Sequence, residues 1–168
     1  MTSDNIFENG LIQRDIELSM SELDNIPTHK FHDNLKKYIE NKINTQIGGM
    51  CIEDGYIKPN SIEITSISTG EIRKALIRYS VVCSCVISCP VEGMVIECIA
   101  QSITNGGIKA AVAEYPNDSP MVIFIAKELT RSIMPTIAEN DVFKAKIIGV
   151  HFELNDPYVS VIATIFVD

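Results

Sequence analysis

The sequence predicts an α+β protein in which a helix lies across an antiparallel sheet and a small five-stranded β-barrel follows. Three observations carry that prediction. The run Ala75–Cys89, ALIRYSVVCSCVISC, alternates with a period of two along its whole length, as a pleated strand does. Upstream, Phe31, Leu35, Ile39, Ile43 and Ile47 recur at steps of four with Tyr38 beside them, forming one apolar helical stripe. Downstream of Pro90 the apolar stretches are strand-sized and separated by turn residues, the pattern of an all-β unit.

The long run is the element to which the others are attached. Its odd positions, Ala75, Ile77, Tyr79, Val81, Cys83, Cys85, Ile87 and Cys89, include no charged or amide side chain, whereas Arg78, Ser80, Ser84 and Ser88 occupy even ones. At about 3.3 Å per residue the strand would reach roughly 50 Å. One small domain cannot cover that length, so the run is read as a spine shared by two units, residues 1–89 and 90–168.

Taken in order, Leu11–Leu18 is a first strand, with Ile12, Ile16 and Leu18 opposed to Gln13, Asp15 and Glu17. Ile26-Pro27-Thr28 interrupts the chain, and Thr28 is placed to cap the helix. Lys30, Lys36, Lys37 and Lys42 fall mostly off the apolar stripe and read as its solvated surface. Gly48-Gly49 ends the helix. Met50–Pro59 reads as a strand leaving a glycine-rich turn, and Ser61–Ile67 as another that Ser68-Thr69-Gly70 returns into the spine. The barrel strands are Met94–Ile103, Ile108–Ala113, Met121–Ile125, Val142–Phe152 and Tyr158–Val167. Asn105-Gly106-Gly107 and Asn155-Asp156-Pro157 are turns, and Lys127–Asp141 is an irregular or short helical link. Five strands with the longer link between the third and fourth fit a Greek-key barrel of the OB type.

With 168 residues, 46% of them hydrophobic, the chain can bury a core without staples. Net charge is −8; residues 1–89 hold nine Lys/Arg against twelve Asp/Glu (−3), and residues 90–168 hold five against ten (−5). Proteins that grip a phosphate backbone tightly carry a basic face, so tight, unassisted nucleic-acid binding is disfavoured. The N-terminus lacks a basic-then-apolar signal, and no apolar stretch is long enough for a membrane helix. Neither secretion nor a membrane partner is expected. Five cysteines, four of them on apolar strand patterns, suit a reducing compartment.

Chemical constellations are few. Cys83, Cys85 and Cys89 share one face of the spine, with Cys98 nearby in sequence, but metal ligands usually come from turns with C-x-x-C spacing. Buried cysteine is otherwise a small hydrophobe. His29, His32 and His151 have no carboxylate or thiol at a metal or triad spacing. Asn105-Gly106-Gly107 lacks the Lys-Ser/Thr and helix that a phosphate cradle needs. The expectation is therefore no catalytic residues, no metal, no cofactor and no enzyme. A thiol enzyme using Cys83 or Cys85 is the rival from the catalytic class. OB barrels offer one face to single-stranded nucleic acid, with aromatics for bases and cations for phosphates. The candidates here are Lys109, Phe124, Lys144, Lys146, His151 and Phe152, with Phe143 assigned to the core beside Ala145 and Ile147.

Several pieces together resemble the stalk subunit of archaeal and eukaryotic RNA polymerases, the family of the seventh subunit of nuclear RNA polymerase II. They are Leu35-Lys36-Lys37-Tyr38 to Ile43, Ile47-Gly48-Gly49-Met50-Cys51, Gly55-Tyr56-Ile57, Ile72 to Tyr79, Val91-Glu92-Gly93-Met94-Val95 and Asn105-Gly106-Gly107-Ile108. Their order and spacing, over residues 10–168, carry the likeness. The resemblance implies an RNP-like tip domain followed by an S1/OB domain. It further implies a non-catalytic polymerase subunit that docks by its tip and holds the S1 domain near the RNA exit, for initiation and nascent-RNA contact. Implied partners are the large and small core subunits, a second stalk subunit along the spine and, weakly, nascent RNA. Core-facing residues would be Ile26, Pro27 and Phe31, then Gly48, Gly49, Met50, Cys51, Gly55 and Tyr56, then Ile67, Ser68, Thr69 and Gly70. The hairpin around Thr69 is shorter than in cellular members, and Ile108 stands where S1 domains often place an aromatic. Those departures resemble a viral version, which would place the protein in a cytoplasmic viral factory or virion; a cellular member would be nuclear. The alternative is a free-standing S1-type RNA-binding module in translation or RNA decay.

Overall fold

The computed structural model describes residues 4–129 and 137–167. In chain order the elements are β1 (Glu8–Ser19), α1 (Met20–Asp24), α2 (Phe31–Ile47), β2 (Cys51–Ile52), β3 (Gly55–Ile57), β4 (Glu63–Ile67), β5 (Glu71–Arg73), β6 (Leu76–Ser88), β7 (Val95–Thr104), β8 (Gly107–Val112), β9 (Met121–Ala126), β10 (Val142–His151) and β11 (Val159–Ile165). They fall into two compact units. One comprises Asn9–Gly48 and Ile57–Ile87; the other comprises the residues up to Glu8, Gly49–Tyr56 and the described residues from Ser88 onward. The fold is α+β, with a helix-on-sheet region and a closed five-stranded mixed barrel.

In the helix-on-sheet unit β6 is the central strand, flanked by β1 and by β4 and β5. Ile64 lies opposite Cys83, Ile67 opposite Val81 and Ile72 opposite Ile77. Ser68-Thr69-Gly70 therefore does not return the chain into β6 as expected. It links β4 to the extra strand β5, and the reversal falls at Lys74-Ala75, where Lys74 takes a φ of 58°. The stripe Leu35, Ile39, Ile43 and Ile47 is buried, as are Ile12, Ile16, Leu18, Ile64, Val81 and Cys83 of the strands, which makes one apolar layer between helix and sheet. Side chains of α2 also cover the edge of β4: Ile64 N–H donates to Glu40 Oε2 at 3.2 Å and Ile62 N–H to Asn44 Oδ1 at 3.4 Å. Thr28 does not cap α2. The N-cap is Lys30 in the left-handed region, without a side-chain hydrogen bond. The additional helix α1 is opened by a capping box in which Ser19 and Glu22 satisfy one another's backbone N–H.

The barrel closes in the order β10-β11-β9-β8-β7. Only the β11–β9 pairing is parallel among its ladders. Numbered within the barrel, the circuit runs first, second, third, fifth, fourth and back to the first, as the OB reading requires. The interior is filled by alternate residues of each strand, among them Ile96, Cys98, Ile108, Ala110, Met121, Ile123, Ile125, Ala145, Ile147, Val161 and Ala163. Ile108 is fully buried, so the position after the double glycine contributes to the core and not to the surface. The β2–β3 hairpin belongs to this unit through Cys51, whose N–H donates to Asp156 O at 2.8 Å and whose carbonyl accepts from Asn155 N–H at 2.9 Å. The link after β9 begins with a 3-10 turn, Lys127–Leu129; residues 130–136 of the link expected over Lys127–Asp141 lie outside the described residues.

Candidate nucleic-acid interface

The outward side of the barrel follows from the same alternation that fills the inside. Buried residues at 108, 110, 123, 125, 161 and 163 force Lys109, Phe124 and Ile162 outward. The register then aligns them, with Lys109 directly opposite Phe124 and Phe124 directly opposite Ile162. Phe124 is 42% exposed and Ile162 49%. A cation, an aromatic ring and an aliphatic side chain thus form one row across β8, β9 and β11. The ring has a defined seat, because Gly107 leaves the space beneath it open: a Cβ there would come within 3.0 Å of Phe124 Cζ and run into the carbonyl of Ile125. Gly107 also has a φ of 154°, which a side chain tolerates poorly.

A β-bulge extends the face onto β10. Ile147 pairs with Ala163, but Gly149 pairs with Ile162, leaving Ile148 as the extra residue. A bulge inserts one residue and so exchanges the two faces for everything after it. Before it Lys146 points outward, opposite Thr164. After it Val150 turns inward and packs on the core while His151 turns outward, opposite Ser160. Ile148 itself is 41% exposed. Uninterrupted alternation from Ala145 and Ile147 would have sent His151 inward and Phe152 outward. The bulge reverses both, and Phe152 packs against the barrel core.

Of the six residues expected to contact RNA, Lys109 and Phe124 are outward neighbours across β8 and β9, and Lys146 and His151 point outward on β10, opposite Thr164 and Ser160 of β11. Lys144 points outward two residues before Lys146 on β10 and stands opposite Glu97 of β7, and Phe152 is committed to packing. His151 Nε2 stands 3.8 Å from Glu153 Oε1, which offsets part of any charge it carries. Ser160, Ile162, Thr164 and Ile148 were not among the expected residues. The first three were legible as the outward half of the alternation Val159–Ala163 and its continuation, whereas Ile148 depends on the bulge.

The polymerase-facing residues expected from the resemblance divide by burial. Ile26, Cys51, Gly55 and Tyr56 are buried and present no surface, while Pro27, Phe31, Ser68, Thr69 and Gly70 are exposed. Gly48, Gly49, Met50 and Ile67 are half-buried. The open side of the helix-on-sheet unit carries Gln13, Asp15, Arg78, Ser80 and Thr65, with Arg78 paired to Asp15 and Gln13 bonded to Ser80. No aromatic stands among them for a base to stack on.

Cys51, Cys83, Cys85 and Cys98 are buried and placed for packing. Burial pushes Cys83 up to about 11 and Cys98 up to about 12; burial and then the Asp156 charge push Cys51 up to about 11. A nucleophilic thiol needs the opposite shift. Cys89 does not continue the row of Cys83 and Cys85, because β6 ends at Ser88 and Cys89 is exposed. Among the described residues no group of three or more His, Cys, Asp or Glu is placed to hold a metal ion, and no helix is long and apolar enough to cross a membrane.

No protein-family model matches the sequence, and no curated protein matches it either. The fold itself, a helix-on-sheet unit with an OB-like barrel, is consistent with an RNA-binding module.

Proposed function

We propose that the protein is a non-catalytic RNA-binding module of the S1/OB type, of the kind that serves translation or RNA decay, and that it receives single-stranded RNA on the outer face of β8, β9, β11 and β10. The observation that carries this reading is the row Lys109–Phe124–Ile162, set out by the barrel register and left open to solvent. An exposed ring flanked by aliphatic surface stacks a base of any identity, and the neighbouring lysines meet phosphates. With few cations and a net charge of −5 over residues 90–168, binding is weak and driven by stacking more than by charge. Fluorescence anisotropy of a labelled single-stranded RNA oligonucleotide with the isolated protein tests it. Phe124→Ala lowers affinity about 10-fold, the loss of one stacked base. A Phe124→Ala protein that binds as tightly as the wild type contradicts the reading.

The narrower role of a polymerase stalk subunit draws support from the order of the two kinds of unit. It also draws on the exposure of Pro27, Phe31 and the Ser68–Gly70 tip, which an apolar plug would use. On that reading the tip docks on the large and small polymerase subunits and the barrel accompanies emerging RNA. Affinity purification from the native source separates the two roles: large polymerase subunits co-purify with a stalk subunit and are absent with a free-standing module.

A further inference from the structure

On the outer face of β11, Ser160, Ile162 and Thr164 stand two residues apart in turn, at a spacing of about 6.8 Å each. Ile162 is the middle of the three and lies opposite Phe124. The place where a base stacks is therefore bracketed along the strand by two hydroxyls. Each hydroxyl has a basic side chain beside it on β10: Ser160 pairs in register with His151, and Thr164 with Lys146. The face is thus a grid, with Phe124 and Ile162 in the centre, Ser160 and His151 on one side and Thr164 and Lys146 on the other.

Neither hydroxyl has a hydrogen-bond partner among the described residues, in contrast to Thr104 and Ser119. Thr104 accepts from Gly106 N–H at 3.3 Å, and Ser119 accepts from Val112 N–H at 3.1 Å, so those side chains hold turns together. Ser160 is exposed and Thr164 half-exposed, on a regular strand whose ladder is completed by backbone groups alone. Nothing in the fold requires a hydroxyl at either place.

We infer that Ser160 and Thr164 read the ribose 2′-hydroxyl, so that this face selects RNA over DNA; the inference rests on the RNA-binding reading of the same face. A 2′-hydroxyl both donates and accepts, as do serine and threonine. A base seated on Phe124 and Ile162 places its own sugar and the next along the two flanking rows, where Lys146 receives an adjoining phosphate. Deoxyribose offers these hydroxyls nothing, and a 2′-O-methyl group removes the donor.

The test compares RNA, DNA and 2′-O-methyl RNA decamers of one sequence, each titrated against wild type, Phe124→Ala and the double variant Ser160→Ala/Thr164→Val. Wild type binds RNA about 10-fold more tightly than DNA, the scale of two modest hydrogen bonds, with the 2′-O-methyl strand between them. The double variant loses that preference through weaker RNA binding, leaves DNA affinity unchanged and unfolds at the wild-type temperature. Equal wild-type affinity for RNA and DNA, with both lowered by Phe124→Ala, overturns the selectivity and leaves the binding face standing. Absence of binding to every strand overturns the face as well. The wild-type comparison decides the point even where a variant folds poorly.

Discussion

Glu22 shows how much one side chain holds in place. Its carboxylate accepts from Lys42 Nζ at 2.8 Å, from Ser19 N–H at 2.8 Å and from Tyr38 O–H at 2.9 Å. Those bonds, the Lys42 ammonium first, keep its pKa at about 2, below the ordinary 4.5. A carboxyl lowered on folding adds stability above its unfolded value, and that contribution is lost as pH falls from 4.5 toward 2. Glu22→Ala therefore lowers stability at neutral pH by about 1 kcal/mol, the usual size of a lost cap. Urea denaturation at pH 7 and pH 2.5 checks this, with the gap between variant and wild type narrowing at the lower pH. The capping box Ser19-x-x-Glu22 was present in the sequence as a helix signal. It was masked because the alternation of β1 runs up to Leu18, and a helix of five residues is too short to establish a 3.6-residue period. Phe124, by contrast, was legible as a surface aromatic, since its neighbours Ile123 and Ile125 alternate with it.

The element that decides the composition of the proposed binding face is the bulge in β10. Deleting Ile148 removes the extra residue and restores a regular ladder in which Gly149 still meets Ile162, Val150 still faces inward and His151 still faces outward. The expected outcome is a barrel that still folds cooperatively in a thermal melt, with Val150 and Phe152 kept in its core. A deletion that unfolds the barrel contradicts the register argument. The turn between β7 and β8 makes a second test. Gly107→Ala introduces a Cβ against the Ile125 carbonyl at a φ of 154°, at a cost of about 1–3 kcal/mol, measurable by chemical denaturation. The two positions differ in how far they could be read beforehand. Asn105-Gly106-Gly107 announces a turn through glycine alone. Gly149, an isolated glycine within a strand, marks a bulge nearby, but that Ile148 is the extra residue is fixed by pairing with β11, which lies further along the chain. The extra strand β5 was missed for a related reason: Glu71-Ile72-Arg73 is too short to show alternation, and its pairing to β6 comes from the turn at Lys74-Ala75.

For the whole molecule, charge sets the terms of binding. The net charge is −8, and the face offers two lysines, Lys109 and Lys146, with His151 beside Glu153. For single strands each phosphate neutralised contributes about −0.7 to the slope of log K against log salt. Two lysines therefore predict a slope of about −1.4, shallow beside a protein that grips the backbone. A steep slope in an anisotropy titration from low to moderate salt would show a phosphate-binding surface elsewhere. The broad architecture was legible at this scale, because hydrophobic period and turn residues mark strands and helix wherever they occur in the chain. Membership of the compact units was not: Gly49–Tyr56 joins the barrel unit through the backbone of Cys51 meeting Asn155 and Asp156, a pairing about a hundred residues distant in sequence that leaves no pattern in either segment.

The central claim is that a strand of RNA lies across β8, β9, β11 and β10. Isotope-labelled protein titrated with a short single-stranded RNA, and followed by amide and methyl chemical shifts, addresses it most directly. The account predicts the largest shifts at Lys109, Phe124, Ile148 and Ile162, with Ser160 and Thr164 beside them and the helix-on-sheet residues unmoved. Shifts confined to other surfaces, or none at saturating RNA, would contradict it.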